Sequence, residues 1–298
     1  MSSLVSILIN VYNGEKYIEK SINSVLSQTY NNWEIILWDN MSTDLTETIY
    51  RKLFCNEKRI KYIKSNCHTS LGEARFLASQ YLTGDYIAIL DVDDLYHPDK
   101  LKKQIEFMTK NPLVHLTSTW SYLINDDDKI SNEKKITLND SKINESILWT
   151  NPFIHSTLIY KKDIFDYLGG YNKKLIFASD YDLLSRFRIN NFNSSIVKEL
   201  LTYQRIHKHS MSKDPKIINT IIDENIFILS NLQKIISDSN LLQLNNKSIL
   251  LCKLRKLLNK PIRNINIRDI LSIIKIIINN PFIFFHIGSI RRFFKSDV

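Results

Sequence analysis

The sequence predicts an α/β fold in which a mixed, mostly parallel central sheet is flanked by helices, with a helical extension at the C-terminal end. Short apolar runs recur through the first hundred positions, and each stops at a polar residue, as buried strands do. Segments with helical spacing of apolar residues separate these runs. From residue 215 onward the chain is poor in glycine, and its apolar residues keep a helical spacing. Strands that alternate with helices favour a parallel sheet.

Each of the first three predicted strands is followed by a predicted helix. Strands are expected at residues 4–9, 33–38, 60–63 and 86–90, with helices at 15–28, from the capping residues Ser42, Thr43 and Asp44 to about 54, and at 71–81. Later elements are a helix at 101–108, a strand at 114–124, a polar turn at 125–129 and helices after Pro215. Ligands of such sheets bind beyond the carboxyl ends of the strands.

Polar side chains gather at three of these strand ends. Residues 10–13 follow the first predicted strand, Asp39 follows the second, and residues 91–94 place three carboxylates directly after the fourth. Oxygen ligands of this kind suit Mg²⁺ or Mn²⁺, which takes its remaining ligands from water and substrate phosphates. A solvated acidic turn remains the alternative for residues 91–94. The second acidic triplet, residues 126–128, is predicted to be a solvated turn, because lysines follow it and no apolar strand holds it in place.

Composition and charge narrow the classes of protein. With 44% hydrophobic and 24% charged residues, the chain is typical of a globular protein. Three cysteines without metal-ligand spacing, and no apolar leader after Met1, indicate a reducing compartment, so a cytoplasmic location is expected. Residues 253–298 carry ten basic and two acidic side chains, and therefore +8 of the net charge of +9. Nucleic-acid binding is disfavoured, because this charge lies in an isoleucine-rich tail.

Four motifs occur in an order typical of one enzyme family. They are residues 5–13 (VSILINVYN), 24–30 (SVLSQTY), 33–44 (WEIILWDNMSTD) and 90–94 (LDVDD). With them, the sequence resembles family 2 glycosyltransferases, which have the Rossmann-like GT-A fold, over about residues 3–212. The resemblance implies inverting, metal-dependent transfer of a sugar from a nucleotide diphosphate sugar. It divides the chain into a GT-A domain, residues 1–212, with a nucleotide-sugar-binding half (1–100) and an acceptor half (101–212), and an extension, residues 213–298.

The resemblance implies which residues bind the nucleotide sugar. Those residues are Val11, Tyr12, Asp39, Arg75, Asp91, Arg205 and His207. Asp39 would recognise the nucleobase, often uracil, whereas Arg75, Arg205 and His207 would contact the diphosphate, since a guanidinium pairs with phosphate oxygens. A helix-entry aspartate, a surface arginine and a basic loop remain the alternatives for these positions. Met41 stands where the family usually has a glycine.

The resemblance also implies the metal ligands and the base. Asp93, with Asp91, would coordinate Mn²⁺ or Mg²⁺ in the family's Asp-x-Asp motif, and His155 would contact the donor or acceptor sugar. Asp180 would be the catalytic base that takes the proton of the acceptor hydroxyl. The family usually has Glu-Asp where this chain has Ser179-Asp180, and a helix cap is the alternative for Asp180. Asp94 is expected to support the site or to cap the following helix.

The basic tail predicts contact with a membrane surface. Arg268, Ser272, Lys275 and Asn279 share one face of a predicted helix whose other faces are rich in isoleucine, and Pro281 ends it. A spanning helix is disfavoured by Lys275 and Pro281, so an interfacial helix on anionic lipid is expected. Internal packing and a homodimer interface remain open.

The expected function is therefore transfer of a sugar, from a UDP-sugar by preference, to a glycan or lipid-linked acceptor in surface polysaccharide biosynthesis. The expected location is the inner face of the cell membrane, with peripheral attachment. An inactive nucleotide-sugar-binding or scaffold protein is one alternative, suggested by Ser179 and Met41. A nucleotidyltransferase is another, although the chain lacks a glycine-rich phosphate loop near the first strand.

Overall fold

The structure is a computed structural model that describes residues 2–148, 151–207, 214–259 and 271. The chain divides into two compact units, Met1–Lys213 and Asp214–Val298. The strands are β1 (Val5–Val11), β2 (Trp33–Asp39), β3 (Ile60–Lys64), β4 (Tyr86–Ile89), β5 (Leu95–Tyr96), β6 (Leu116–Ile124), β7 (Ile130–Lys134), β8 (Ile159–Lys161) and β9 (Ser194–Arg205). The helices are α1 (Ile18–Leu26), α2 (Thr46–Leu53), α3 (Leu71–Ser79), α4 (Lys100–Lys110), α5 (Asp140–Ser146), α6 (Lys162–Tyr167), α7 (Ser179–Ile189), α8 (Pro215–Leu232) and α9 (Ser239–Leu258).

The sheet of the first unit has the strand order β3-β2-β1-β4-β8-β6-β9-β5, with β7 paired to β6. Strands β1 to β4 are mutually parallel, and β6 is parallel to β9, whereas β8 is antiparallel to both β4 and β6. The chain builds outward from β1 to β3 and then crosses to the other side of β1 to form β4. This reversal places a crevice at the carboxyl ends of β1 and β4, where ligands bind in open α/β sheets.

Two apolar cores cover the two faces of this sheet. Alternate residues of β1 point to opposite faces, so Ile7 and Ile9 join the core under α1, α2 and α4, while Leu8 joins the core under α3 and α7. The predicted strands and helices of the first hundred residues are confirmed within a few positions. Burial on both faces explains why those strands read as continuous apolar runs.

Helix α2 begins later than predicted. It starts at Thr46, and its first turn has no side-chain cap from Ser42 or Thr43. The Ser42 hydroxyl instead accepts a hydrogen bond from the backbone N–H of Asn13, at 2.9 Å, and Asp44 accepts from the Thr46 N–H at 3.0 Å. The serine and threonine of this segment therefore brace the loop after β1.

The second unit contains the antiparallel pair α8 and α9. The Asn245 amide donates to the Leu229 carbonyl at 2.9 Å, and Gln233 donates to Asn246 at the same distance. Ile222, Ile228, Leu229 and Leu232 form the buried stripe of α8. Within the part of the chain that the structure describes, no helix is long and apolar enough to cross a membrane. The predicted interfacial helix at 268–279 lies outside the described residues, apart from Leu271.

Candidate active site

The end of β2 carries a buried carboxylate. Asp39 is inaccessible to solvent, and its Oδ1 accepts a hydrogen bond from the Ser42 N–H at 2.7 Å, while its Oδ2 accepts one from the Tyr62 hydroxyl. The carbonyl of Val11, at the end of β1, accepts from the Asn40 N–H at 2.8 Å. The neighbouring ends of β1 and β2 are thus tied together around Asp39.

An aromatic pair stands beside this end of the sheet. The Tyr12 ring is 49% exposed and lies 4.2 Å from the His68 ring, centroid to centroid. The Nδ1 atom of His68 lies 3.1 Å from the Asn40 carbonyl oxygen, and the Asn40 side chain accepts from the Thr69 hydroxyl at 2.9 Å. His68 was not among the predicted site residues. The signal that could have found it is its position shortly after the carboxyl end of β3.

The loop after Asp39 contains a left-handed residue. Met41 has φ of +70°, in the region that favours glycine. The loop is held by Asn13, whose side-chain oxygen accepts from the Thr43 N–H at 2.9 Å. Met41 therefore takes up a conformation that the expected glycine would adopt without strain.

Arg75 lies at the centre of a buried polar cluster. Its Nη1 donates to the Ser179 hydroxyl at 3.2 Å, and its Nη2 lies 3.4 Å from Asp91 Oδ1 and 3.1 Å from His155 Nδ1. His155 Nε2 is 3.1 Å from the Tyr171 hydroxyl. The structure thus brings together three predicted residues, from α3, the end of β4 and the turn before β8.

Charges within this cluster shift the pKa values of its members. Burial raises the pKa of Asp91, but His155 and Arg75 outweigh burial and lower that pKa below its usual range. Burial lowers the pKa of Arg75, and the carboxylates of Asp91 and Asp180 reverse the effect, so the net shift is upward. Asp91 is therefore ionised and Arg75 remains a cation at neutral pH.

The turn after β4 is held from both ends by Ser156. The Ser156 hydroxyl accepts from the Asp91 N–H at 3.0 Å and donates to Asp94 Oδ2 at 2.6 Å. Asp94 also accepts from the Arg205 N–H at 2.8 Å, and burial together with Asp93 and Asp91 raises its pKa well above the usual value. Of the two expected roles of Asp94, support of the site fits these contacts; the cap of α4 is Asp99.

Asp93 lies next to the last described residues of the first unit. Its Oδ2 is 3.1 Å from His207 Nε2, and its backbone carbonyl accepts from Arg205 Nε at 2.9 Å. The Arg205 side chain is only 1% exposed, and its remaining nitrogens donate to the Asn125 carbonyl and the Asp128 carboxylate. In this structure the Arg205 guanidinium supports Asp93, and no solvent-facing part of it is available for a diphosphate.

Asp180 and Asp182 have different surroundings in the first turn of α7. Asp180 is half-buried and accepts a hydrogen bond from the Asn151 amide at 2.7 Å. Asp182 is buried, and its carboxylate pairs with Arg186, one turn further along the helix, at 2.6 Å. Asp180 is thus the more exposed carboxylate of the two.

Comparison with known proteins identifies the family. A profile of glycosyl transferase family 2 matches residues 6–169. An Escherichia coli protein, UDP-Glc:alpha-D-GlcNAc-diphosphoundecaprenol beta-1,3-glucosyltransferase, is 31% identical over 214 residues, which cover 71% of this chain and 80% of the relative. The chain belongs to glycosyltransferase family 2.

Solved structures share the fold of this glycosyltransferase. Residues 1–349 of S. aureus TarS, in complex with UDP-GlcNAc, have a TM-score of 0.68 at 16% identity, covering 92% of this chain and 79% of those residues. A mannosyltransferase from Pyrobaculum calidifontis, in complex with GDP-Man and Mn²⁺, has a TM-score of 0.65 at 15% identity, covering all of this chain and 82% of the other. The predicted GT-A fold is confirmed.

The residues around Asp93 have the chemistry of a partial metal site. Within residues 2–148, 151–207 and 214–259, no three side chains of the His, Cys, Asp and Glu types are grouped to hold an ion by themselves. A cation of the Mg²⁺ type needs only one or two carboxylates when substrate phosphates complete its coordination. The part-exposed carboxylate of Asp93, beside His207, fits this arrangement, whereas Asp91 is turned toward Arg75 and His155.

Proposed function

We propose that this glycosyltransferase transfers a sugar, with inversion, from a UDP-sugar to a glycan or lipid-linked acceptor in surface polysaccharide biosynthesis. The observation that carries the proposal is the cluster of buried Arg75 and His155 with half-buried Asp91, next to Asp180 at the carboxyl edge of the sheet. The cluster thereby holds the Arg75 cation close to the Asp180 carboxylate. Transfer of a sugar needs both: a positive charge to stabilise the departing diphosphate, and a carboxylate to take the proton of the acceptor hydroxyl. The name of the Escherichia coli relative, with a UDP-Glc donor and a diphosphoundecaprenol-linked acceptor, supports this choice.

The donor nucleotide is assigned to the edge formed by β1 and β2. Asp39, whose carboxylate is buried against Ser42 and Tyr62, is assigned to the base together with the backbone of Val11. The exposed Tyr12 ring, against His68, offers the base a stacking surface. Arg75 supplies positive charge for the diphosphate, with His155 beside it for the donor or acceptor sugar. The Asp91 carboxylate keeps that guanidinium oriented, which lowers the cost of ordering it when the donor binds.

Asp93 and His207, with Asp91 nearby, are assigned to a divalent cation, Mn²⁺ or Mg²⁺. When bound, such an ion neutralises charge on the leaving nucleoside diphosphate. Asp93 offers a carboxylate oxygen, and the imidazole of His207 restricts its rotation.

Asp180 is assigned the role of general base. Its carboxylate accepts the proton of the acceptor hydroxyl as the new bond forms between that oxygen and the anomeric carbon of the donor. The bond from this carbon to the diphosphate breaks on the opposite side, and its electron pair leaves with the nucleoside diphosphate. The Asn151 amide orients the carboxylate by holding Oδ2, so the other oxygen can face the acceptor.

Residues 213–298 are proposed to attach the protein to the inner face of the cell membrane, beside a lipid-linked acceptor. Eight units of positive charge near the C-terminal end support attraction to anionic lipid. The alternative to membrane attachment is that the apolar side chains of residues 213–298 form a homodimer interface.

The proposal is tested by comparing two variants, Asp180→Asn and Asp93→Asn, with the wild type. The measurement is release of UDP from UDP-sugars with and without Mn²⁺. We expect Asp180→Asn to reduce turnover by about 10²–10⁴-fold while the dissociation constant of the donor stays nearly unchanged, because the base acts only in the reaction. Asp93→Asn is expected to weaken the Mn²⁺-dependent part of donor binding. Asp127→Asn, on the exposed surface, is the control. Unimpaired turnover in Asp180→Asn would remove the base from this position.

A further inference from the structure

The turn that joins β6 to β7 contacts the loops of the active site. Residues 125–129, here named the acidic turn, carry three consecutive aspartates. Asp126 accepts hydrogen bonds from Lys16 at 2.8 Å and from the Tyr17 hydroxyl at 2.7 Å, which lowers its pKa to about 2. Asp128 pairs with Lys20 and Arg205. The acidic turn is therefore held against α1 and β9, and the prediction of a merely solvated turn is incomplete.

Arg205 connects the acidic turn to Asp93. A guanidinium that is 1% exposed needs a carboxylate partner, because an unpaired buried charge is strongly destabilising. Asp128 provides that partner, and the Asn125 carbonyl accepts from Arg205 Nη1 at 2.5 Å. On its other side, Arg205 Nε donates to the Asp93 carbonyl at 2.9 Å. The Asp128 carboxylate thereby fixes the Arg205 side chain, which donates a hydrogen bond to the Asp93 backbone.

A second chain of contacts reaches the carboxylate of Asp93. The Tyr17 ring, whose hydroxyl is bound to Asp126, stacks on His207 with centroids 5.6 Å apart. His207 Nε2 in turn lies 3.1 Å from Asp93 Oδ2. One route from the acidic turn therefore ends on the Asp93 backbone, and the other ends on its carboxylate.

The backbone of the acidic turn is left-handed at Asp128, the residue that pairs with Arg205. Asp128 has φ of +63°, a region in which aspartate and asparagine are tolerated better than most residues. This conformation accompanies the pairing of its carboxylate with both Arg205 and Lys20. Its neighbour Asp127 is exposed.

We propose that the acidic turn positions Asp93 for the divalent cation and the nucleotide, and that Asp128 is a positioning residue that acts through Arg205. The role in cation binding rests on the proposed function. The structural part, that Asp128 orders residues 91–94 and 203–207, does not depend on it.

The test compares Asp128→Asn with Asp127→Asn in the full chain, so that the same charge is removed from adjacent positions of one turn. Asparagine keeps the shape of the side chain and tolerates a positive φ. The first measurement is amide hydrogen exchange in peptides that cover residues 91–94 and 203–207, without ligand. The second is titration of Mn²⁺, followed by electron paramagnetic resonance, in the presence of UDP.

We expect faster exchange of both peptides in Asp128→Asn, and Mn²⁺ affinity about tenfold weaker, because residues that orient metal ligands have effects of this size. Asp127→Asn should match the wild type in both measurements. Should Asp128→Asn fail to fold, Asp128→Glu, which keeps the charge and displaces the carboxylate, takes its place. Exchange rates that are the same in both variants and the wild type would overturn the proposal. A wild type that binds neither Mn²⁺ nor UDP would instead overturn the proposed function, while the exchange rates would still decide the role of Asp128.

Discussion

Lys100 is fully buried at the start of α4, which is rare for a lysine. Its Nζ has no hydrogen-bond partner in the described part of the chain and lies 4.1 Å from the centroid of the Tyr96 ring. Burial lowers the pKa of Lys100 well below its usual value of 10.5. The side chain therefore resembles a long apolar group with an amine at its end, and burying that amine destabilises the fold.

Lys100→Met is expected to raise the free energy of unfolding by about 1–3 kcal/mol near neutral pH, the cost of an unpaired buried polar group. Because the pKa of Lys100 is lower in the folded state, the unfolded chain binds more protons. Stability of the wild type should therefore rise with pH up to about 10.5. The variant should lose this part of the pH dependence.

Urea unfolding at several pH values between 6 and 9 measures both effects of Lys100→Met. Lys102→Met, on the exposed face of the same helix, is the control and should leave the slope unchanged. A variant with the wild-type slope would contradict the lowered pKa of Lys100.

The left-handed backbone of Met41 also lowers the stability of the fold. A left-handed residue with a side chain is less favourable than glycine by roughly 1–2 kcal/mol. The contacts of Asn13 and Ser42 on either side maintain this conformation. The departure from the family's glycine therefore changes stability more directly than it changes the path of the loop.

At the scale of elements, α7 connects the candidate base to the rest of the site. Asp182 pairs with Arg186 one turn along α7, and Arg186 donates to the carbonyls of Leu168 and Gly170. Leu168 and Gly170 belong to the turn after α6, which has left-handed glycines at 169 and 170. The turn leads to Tyr171, whose hydroxyl faces His155. Arg186, which is paired with Asp182 within α7, therefore joins this helix to the turn that supports the Arg75 cluster.

Asp182→Asn is expected to lower the free energy of unfolding by about 2 kcal/mol, since removing one member of a mostly buried ion pair leaves the other charge uncompensated. The side chains are 9% and 21% exposed. Denaturant titration measures the loss. The control is Asp166→Asn, which breaks the pair with Lys162 at the same helical spacing but with Asp166 55% exposed, and should cost less than about 1 kcal/mol. Equal losses in the two variants would show that the burial of the Asp182 pair is unimportant.

For the whole molecule, charge is distributed unevenly along the chain. Residues 1–252 carry a net charge of +1, whereas residues 253–298 carry +8. The unit that contains the candidate site is thus nearly neutral, and electrostatic attraction to an anionic surface has to come from the other end of the chain.

We expect the full chain to bind vesicles that contain phosphatidylglycerol more tightly than vesicles of phosphatidylcholine. Each basic residue near an anionic surface contributes about 1 kcal/mol, so the double variant Arg268→Gln/Lys275→Gln should partition about 30-fold less. Co-sedimentation at low and high salt measures this. Lys52→Gln/Lys110→Gln removes the same charge from exposed positions of the first unit and should have little effect. Equal binding to both kinds of vesicle would contradict the membrane proposal.

The order of β1–β4 and α1–α3, the family and the candidate residues at strand ends could be predicted from the sequence. Apolar periodicity is a local property, and the motifs at residues 5–13, 33–44 and 90–94 are continuous. For the same reason Asp39 and residues 91–94 were recognised, since each directly follows its strand. The capping roles of Ser42 and Thr43 were wrong, because a contact with Asn13, 29 residues away for Ser42, outweighs the local preference.

By itself, the sequence determined that this is an α/β glycosyltransferase with polar residues at the carboxyl edge of its sheet. Tertiary structure alone decided which of those residues meet: Asn151 with Asp180, 29 positions apart, and Asp128 with Arg205, 77 positions apart. It also separated Asp180 from Asp182, which differ in burial. The physical reason is that the surroundings of a charged side chain depend on partners brought together by folding, whereas strand and helix patterns depend on neighbours along the chain.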